Sequence, residues 1–178
     1  MVILITGPSF VGKTILAQKI LEKYKYPYLS IDHLKMGLIR SDNTNLTPED
    51  DDKLTRYLWP ILKEIIKTVI ENRQNLIIEG GYIPLNWRKD FDEKYLSFIR
   101  FICLAMTDKY IEENFEKIKK HSRDLESRQD TTCCTINNLK QFNHVYIDGC
   151  AENKEQICLI DIDYNQIISK VISELITQ

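Results

Sequence analysis

Val2-Ile3-Leu4-Ile5-Thr6 is a β-branched apolar run stopped by Gly7-Pro8, the profile of a strand buried on both faces. From Lys13 the period changes. Ile15, Leu16, Ile20, Leu21 and Tyr24 recur at helical spacing, so a strand feeds a helix through a loop. Pro27 closes that helix, and Tyr28-Leu29-Ser30-Ile31 reads as a second strand ending at Asp32,. Thr47-Pro48-Glu49-Asp50 combines an N-cap, a proline at the first helical position and acids in the first turn, which predicts a helix start there. Leu54, Tyr57, Leu58, Ile61, Leu62, Ile65, Ile66, Val69 and Ile70 then mark one long amphipathic helix, with a kink expected at Pro60. Leu76-Ile77-Ile78, broken by Glu79-Gly80-Gly81, is a third strand and residues 98–106 a fourth,. Thr107-Asp108 can cap a helix through Tyr110, Ile111, Phe115 and Ile118 that runs into the basic, polar residues 119–130,. A last strand at residues 157–162 precedes a helix with Ile167, Ile168, Val171, Ile172, Leu175 and Ile176 inward.

Short apolar strands alternating with longer helices call for a parallel sheet covered on both faces. In such sheets ligands bind at the carboxyl ends of the strands. Four features fall at such ends: residues 7–14, Asp32, Glu79-Gly80 and Asp161.

The chain has 178 residues, which at about 150 residues per domain is one domain, residues 1–178. With 43% apolar and 28% charged residues, the composition is that of a soluble globular protein. Its 24 basic against 26 acidic residues give a net charge of −2, which argues against a broad nucleic-acid or anionic-lipid surface. Any anion site must be local. Residues 1–6 are too short a run for a leader or membrane span. The five cysteines are an odd number and read as reduced thiols in a cytoplasmic protein. Cys133, Cys134, His144, Cys150 and Cys158 lack the paired spacing of a zinc site,, so buried thiols are expected.

Gly7-Pro8-Ser9-Phe10-Val11-Gly12-Lys13-Thr14 fits G-x4-G-K-[ST] between a buried strand and a helix, the context this phosphate-binding loop requires. A chance match in a chain of this length has a probability on the order of 0.01. The glycines let successive N–H groups and the helix N-terminus converge on phosphate, and Lys13 supplies a mobile positive charge. Thr14 can place its hydroxyl on magnesium. The GTPase strings D-x-x-G and N-K-x-D are absent, as is the apolar run ending in Asp-Glu typical of motor and transporter ATPases. Small kinases fit the size.

On this loop and the order of elements, the chain resembles the P-loop kinases of the nucleoside-monophosphate-kinase-like superfamily. That group includes adenylate, shikimate and gluconate kinases, chloramphenicol phosphotransferase and the zeta-toxin kinases. The resemblance implies the three-layer α/β fold of P-loop NTPases: a five-stranded parallel sheet, helices on both faces and a short lid, here about residues 119–135. It also implies ATP and Mg2+ as partners of the site, with a small-molecule acceptor. Asp32 stands where hydroxyl-phosphorylating members keep an aspartate that contacts the acceptor and can take its proton. Its other expected use is to cap a following helix. Glu79-Gly80 occupies the Asp-Gly position of nucleoside-monophosphate kinases, but an extra Gly81 intervenes and Tyr82, Pro84 and Arg88 are spread wider. Glu79 is a candidate to hold magnesium or to act as an alternative base, ahead of Asp161. Tyr82, Arg88 and Arg40 are candidate acceptor contacts, although Tyr57, Trp59, Tyr82 and Trp87 also suit core packing. Lys119, Lys120, His121, Arg123 and Arg128 resemble a lid, with Arg123 and Arg128 closing over the transferring phosphate. The reading is a kinase moving the γ-phosphoryl group of ATP to a small metabolite, at a hydroxyl. The alternatives are a nucleoside-monophosphate kinase and a nucleotide-binding switch or partner protein. ATP against GTP, and Asp32 against Glu79 as base, stay open.

Overall fold

A computed structural model describes residues 1–121 and 134–175. Five strands form one sheet: β1 (Val2–Thr6), β2 (Tyr28–Ser30), β3 (Leu76–Glu79), β4 (Ile99–Met106) and β5 (Ile157–Ile160). Their order is β2-β3-β1-β4-β5, and every neighbouring pair is parallel. The helices among the described residues are α1 (Lys13–Tyr24), α2 (Ile31–Arg40), α3 (Asp51–Glu71), α4 (Glu93–Leu96), α5 (Asp108–His121), α6 (Ile136–Glu152) and α7 (Tyr164–Glu174).

The unbroken apolar run of β1 is explained by its central position. Ile3 and Ile5 face a core built with Leu16, Ile20, Ile111 and Ile168, whereas Val2 and Leu4 face a second core with Leu58, Leu62, Ile66 and Trp87. Both faces are covered, so no position of the strand is released to polar residues. Register fixes what meets at the carboxyl edge: Glu79 is flanked by Ile5 on one side and Ser30 on the other.

The elements depart from the sequence reading in four places. β2 ends at Ser30 and α2 begins at once, so Asp32 lies inside the first helical turn and not at the strand's end. α3 starts at Asp51, because residues 47–50 close a turn in which the Thr47 N–H and hydroxyl donate to the Asp50 carboxylate. That helix runs unbroken through Pro60, whose ring sits on the exposed side. α6 was not foreseen. Cys103, Cys134 and Cys150 are buried thiols and Cys158 is half-buried. The expected lid arginines, Arg123 and Arg128, and Cys133 lie outside the described residues, as does most of the stretch 119–135. No helix among the described residues is long and apolar enough to cross a membrane.

Candidate active site

The phosphate loop is held by close packing that only glycine permits at its two ends. At Gly7 (φ 138°) a Cβ would lie 2.3 Å from the Leu104 carbonyl oxygen, so the loop leaves β1 pressed against β4. Gly12 (φ 91°) precedes α1 in the left-handed region, where a Cβ would meet the Tyr164 hydroxyl at 2.5 Å. Between them Phe10 also takes a left-handed backbone, φ 69°, a conformation that costs a non-glycine residue on the order of 1 kcal/mol and concentrates at functional turns. The first turn of α1 carries no acid, which leaves its N-terminal N–H groups and positive dipole end to an anion. Lys13 folds its ammonium back onto the loop, donating to the carbonyls of Gly7 (3.0 Å) and Pro8 (2.8 Å).

Glu79 is buried at the end of β3, and its carboxylate accepts from the Thr14 hydroxyl at 3.4 Å. These are the two residues expected at magnesium, and the fold brings them together. Two oxygens bound side by side on one magnesium lie about 3 Å apart, given bonds of about 2.0–2.1 Å at right angles. The Thr14–Glu79 separation and its hard oxygen donors therefore fit that ion. Among the described residues no group of three or more His, Cys, Asp or Glu converges. The loop that follows β3 is tied down by side chains from elsewhere: Thr6 donates to the Gly80 carbonyl (3.0 Å) and Tyr146 of α6 to that of Gly81 (3.2 Å). Burial pushes the Tyr146 phenol up to about 12, so it remains a neutral donor.

Asp32 belongs to a polar network that crosses three elements. The Lys35 ammonium sits 2.7 Å from the Asp32 carboxylate and donates to the Tyr82 hydroxyl at 3.0 Å. Tyr82 in turn donates to Asp51 at 3.0 Å. Burial works to lower the Lys35 pKa, but the bonds to Asp32 and Tyr82 outweigh it and the net direction is upward. Burial pushes the Tyr82 phenol up to about 12. Lys35 and Asp51 were missed by sequence reasoning. The i, i+3 spacing of Asp32 and Lys35 was the available signal; Asp51 gave none.

The other candidates are not brought to this cluster. Arg88 grips Glu155 with two bonds, Nε at 2.5 Å and Nη2 at 3.2 Å, and covers the Trp87 ring 4.7 Å from its centroid. Its fork is therefore engaged with Glu155 on the segment before β5. Arg40 is exposed in the last turn of α2, eight residues and about 12 Å of helix rise from Asp32. Asp161 is exposed just beyond β5. Trp59 and Trp87 are core residues and Tyr57 packs half-buried against the same cluster.

No protein-family model and no curated protein matches the chain. Solved structures do. A gluconokinase from Sinorhizobium meliloti 1021 is 16% identical, with 96% of this chain and 89% of that one covered, at a TM-score of 0.56. Deoxyadenosine kinase from M. mycoides is 14% identical over the full length of both chains at 0.59. Shikimate kinase from Bacteroides thetaiotaomicron is 15% identical over 98% and 95% at 0.53. Sheet order, phosphate loop and end-to-end overlap together show that this chain has the fold of the P-loop small kinases.

Proposed function

We propose that the protein is an ATP- and magnesium-dependent kinase that transfers the γ-phosphoryl group to a hydroxyl of a small acceptor. The observation that carries this reading is the convergence at one sheet edge of the phosphate loop, the Thr14–Glu79 pair and the Asp32 network. The loop amides and the α1 N-terminus bind the phosphates, and Lys13 leaves the Gly7 and Pro8 carbonyls for the outer phosphate oxygens. Thr14 and Glu79 would hold magnesium, and the ion would supply charge neutralisation at the phosphates. Asp32 orients the acceptor hydroxyl and takes its proton as the new O–P bond forms and the bond from the γ-phosphorus to the bridging oxygen breaks. Arg123 and Arg128 are assigned to the transferring phosphate, Tyr82 to the acceptor side, and Arg40 to the rim of that side.

The division of labour between carboxylates follows from their partners: Glu79 touches Thr14, whereas Asp32 is held by Lys35. A hydroxyl acceptor is favoured over a phosphate one because Arg88 is engaged by Glu155, and the network holds two carboxylates against one ammonium: Lys35 pairs with Asp32 and is linked to Asp51 through the Tyr82 hydroxyl. The structural neighbours are named for gluconate, deoxyadenosine and shikimate, all hydroxyl-bearing molecules.

The test is calorimetric titration with ATP and Mg2+, followed by ADP release across sugar acids, polyols, nucleosides and nucleoside monophosphates. Binding is expected, with release above the water rate for at least one hydroxyl compound. Asp32→Asn should keep ATP affinity and slow transfer about 100-fold or more. Binding without turnover on any compound would replace the kinase by a nucleotide-binding partner protein. Fastest turnover on a monophosphate would move the acceptor to phosphate.

A further inference from the structure

Tyr164 is the first residue of α7, directly after Asp163, whose side chain caps the helix by accepting from the Gln166 N–H at 2.8 Å. Its hydroxyl donates to the carbonyl of Gly12 at 2.8 Å across 152 residues of sequence. The same carbonyl accepts from the Leu16 N–H at 3.1 Å. The ring occupies the space a side chain at position 12 would need, since an added Cβ would come within 2.8 Å of its Cε2 and Cζ atoms. At the far end of α1, Tyr24 donates to the Ile172 carbonyl of α7 at 2.9 Å. The two helices are thus tied twice, once at each end of α1, and only one tie reaches the phosphate loop.

That tie has a specific geometric consequence. The C=O of Gly12 and the N–H of Lys13 belong to one planar trans peptide and point in opposite directions. Fixing the carbonyl with two donors therefore fixes the direction of the Lys13 N–H, one of the four amides at the α1 N-terminus that have no partner within the helix. We infer that Tyr164 is a positioning residue for nucleotide binding, aiming the Lys13 amide at phosphate by holding the Gly12 carbonyl. The inference rests on the nucleotide-binding reading of the loop. Burial drives the Tyr164 phenol well above its ordinary range, so the tie stays a neutral donor through the working pH of any cytosolic enzyme.

The experiment measures dissociation constants of the full-length protein with Mg2+ for two probes, ATP and inorganic tripolyphosphate, in wild type, Tyr164→Phe and Tyr24→Phe. Tyr164→Phe keeps the ring and removes one hydrogen bond while Leu16 still satisfies Gly12, so affinity for both probes should fall by the same factor, about three- to tenfold. Tyr24→Phe removes the matching bond between the same helices and should leave both constants unchanged. Unaltered binding by Tyr164→Phe, or a loss confined to ATP as a base contact would give, overturns the inference and leaves the nucleotide reading intact. An equal loss in Tyr24→Phe, or unfolding of Tyr164→Phe where Tyr24→Phe stays folded by circular dichroism, makes the tie structural and also overturns it. Wild-type protein that binds neither probe removes the nucleotide reading itself.

Discussion

Lys35 shows how one side chain can be stabilised in its charged form while its burial works against it. Its side chain is 11% exposed, so removing it from water disfavours the ammonium, yet the Asp32 carboxylate and the Tyr82 hydroxyl together raise its pKa. A group whose folded pKa lies above its unfolded value, near 10.4 for lysine, contributes stability that is fully present below the unfolded value. That contribution is lost as pH climbs through the folded one. Lys35→Met is accordingly expected to lower unfolding free energy by about 1–2 kcal/mol at pH 8, and the gap to wild type should narrow by pH 11. Urea denaturation at the two pH values measures it; a gap that widens would contradict the assignment. Tyr82 keeps its proton to about 12, so it does not titrate away beneath the lysine. At this scale the phosphate loop was fully legible, because eight consecutive residues carry it. Of the polar network beside it, Asp32 and Tyr82 were singled out from the sequence, whereas Lys35 and Asp51 were not. Tyr82 and Asp51 are 31 residues apart and meet only because α3 packs against the segment after β3.

α6 is the element that periodicity concealed. Its inward positions include Leu139 and Cys150 but also Asn143, fully buried, where an apolar stripe would carry an aliphatic residue. Asn143 is there for hydrogen bonding: its Oδ1 accepts from the Met106 N–H at 2.6 Å and its Nδ2 donates to the Leu139 carbonyl at 2.6 Å. It closes the end of β4, at the carboxyl edge where the sheet's ladder no longer satisfies that amide. Gly149 further weakens the helical pattern; it packs against the β3–β4 connection, where an added Cβ would come within 2.4 Å of Cδ1 at the tip of the Leu85 side chain. Asn143→Ala should cost about 2–4 kcal/mol, since it strands a buried backbone N–H and leaves a small void. The drop should appear as a lower urea midpoint with an unchanged slope, and a change under 0.5 kcal/mol would mean that water replaces the side chain. β1, β3, β4 and α1 were readable because apolar burial alone decides them. α2 was misplaced by two residues for a different reason: an isoleucine-aspartate pair reads equally well as the end of a strand and the start of a helix.

On the scale of the whole molecule, where the net charge is only −2, it is the fold that gathers the candidate groups at one place. The parallel sheet sends every strand's carboxyl end to the same edge, so the loops after β1 and β3 and the start of α2 after β2 become neighbours without any long-range charge attraction. Placing β1 at the centre puts the phosphate loop in the middle of that edge, between the Asp32 side and the α7 side. On the proposed reading, a nucleotide seated there would touch the loop between β1 and α1 and the end of β3, so binding should be felt as global stability. At a ligand concentration of 100 times Kd the gain is about 2.7 kcal/mol, which for a chain of this size raises the melting temperature by about 5–11 °C. ATP with Mg2+ is expected to give that rise in wild type, and with Thr14 and Glu79 as the proposed metal ligands, chelation of the metal should shrink it. Lys13→Ala should melt within about 2 °C of wild type in the absence of ligand, since the loop carbonyls of Gly7 and Pro8 that its ammonium serves can be served by water equally well,. The same variant should gain almost nothing from ATP. A full ligand-induced rise in Lys13→Ala would show that the nucleotide binds away from the loop, and would separate the fold of this chain from the use its phosphate loop implies.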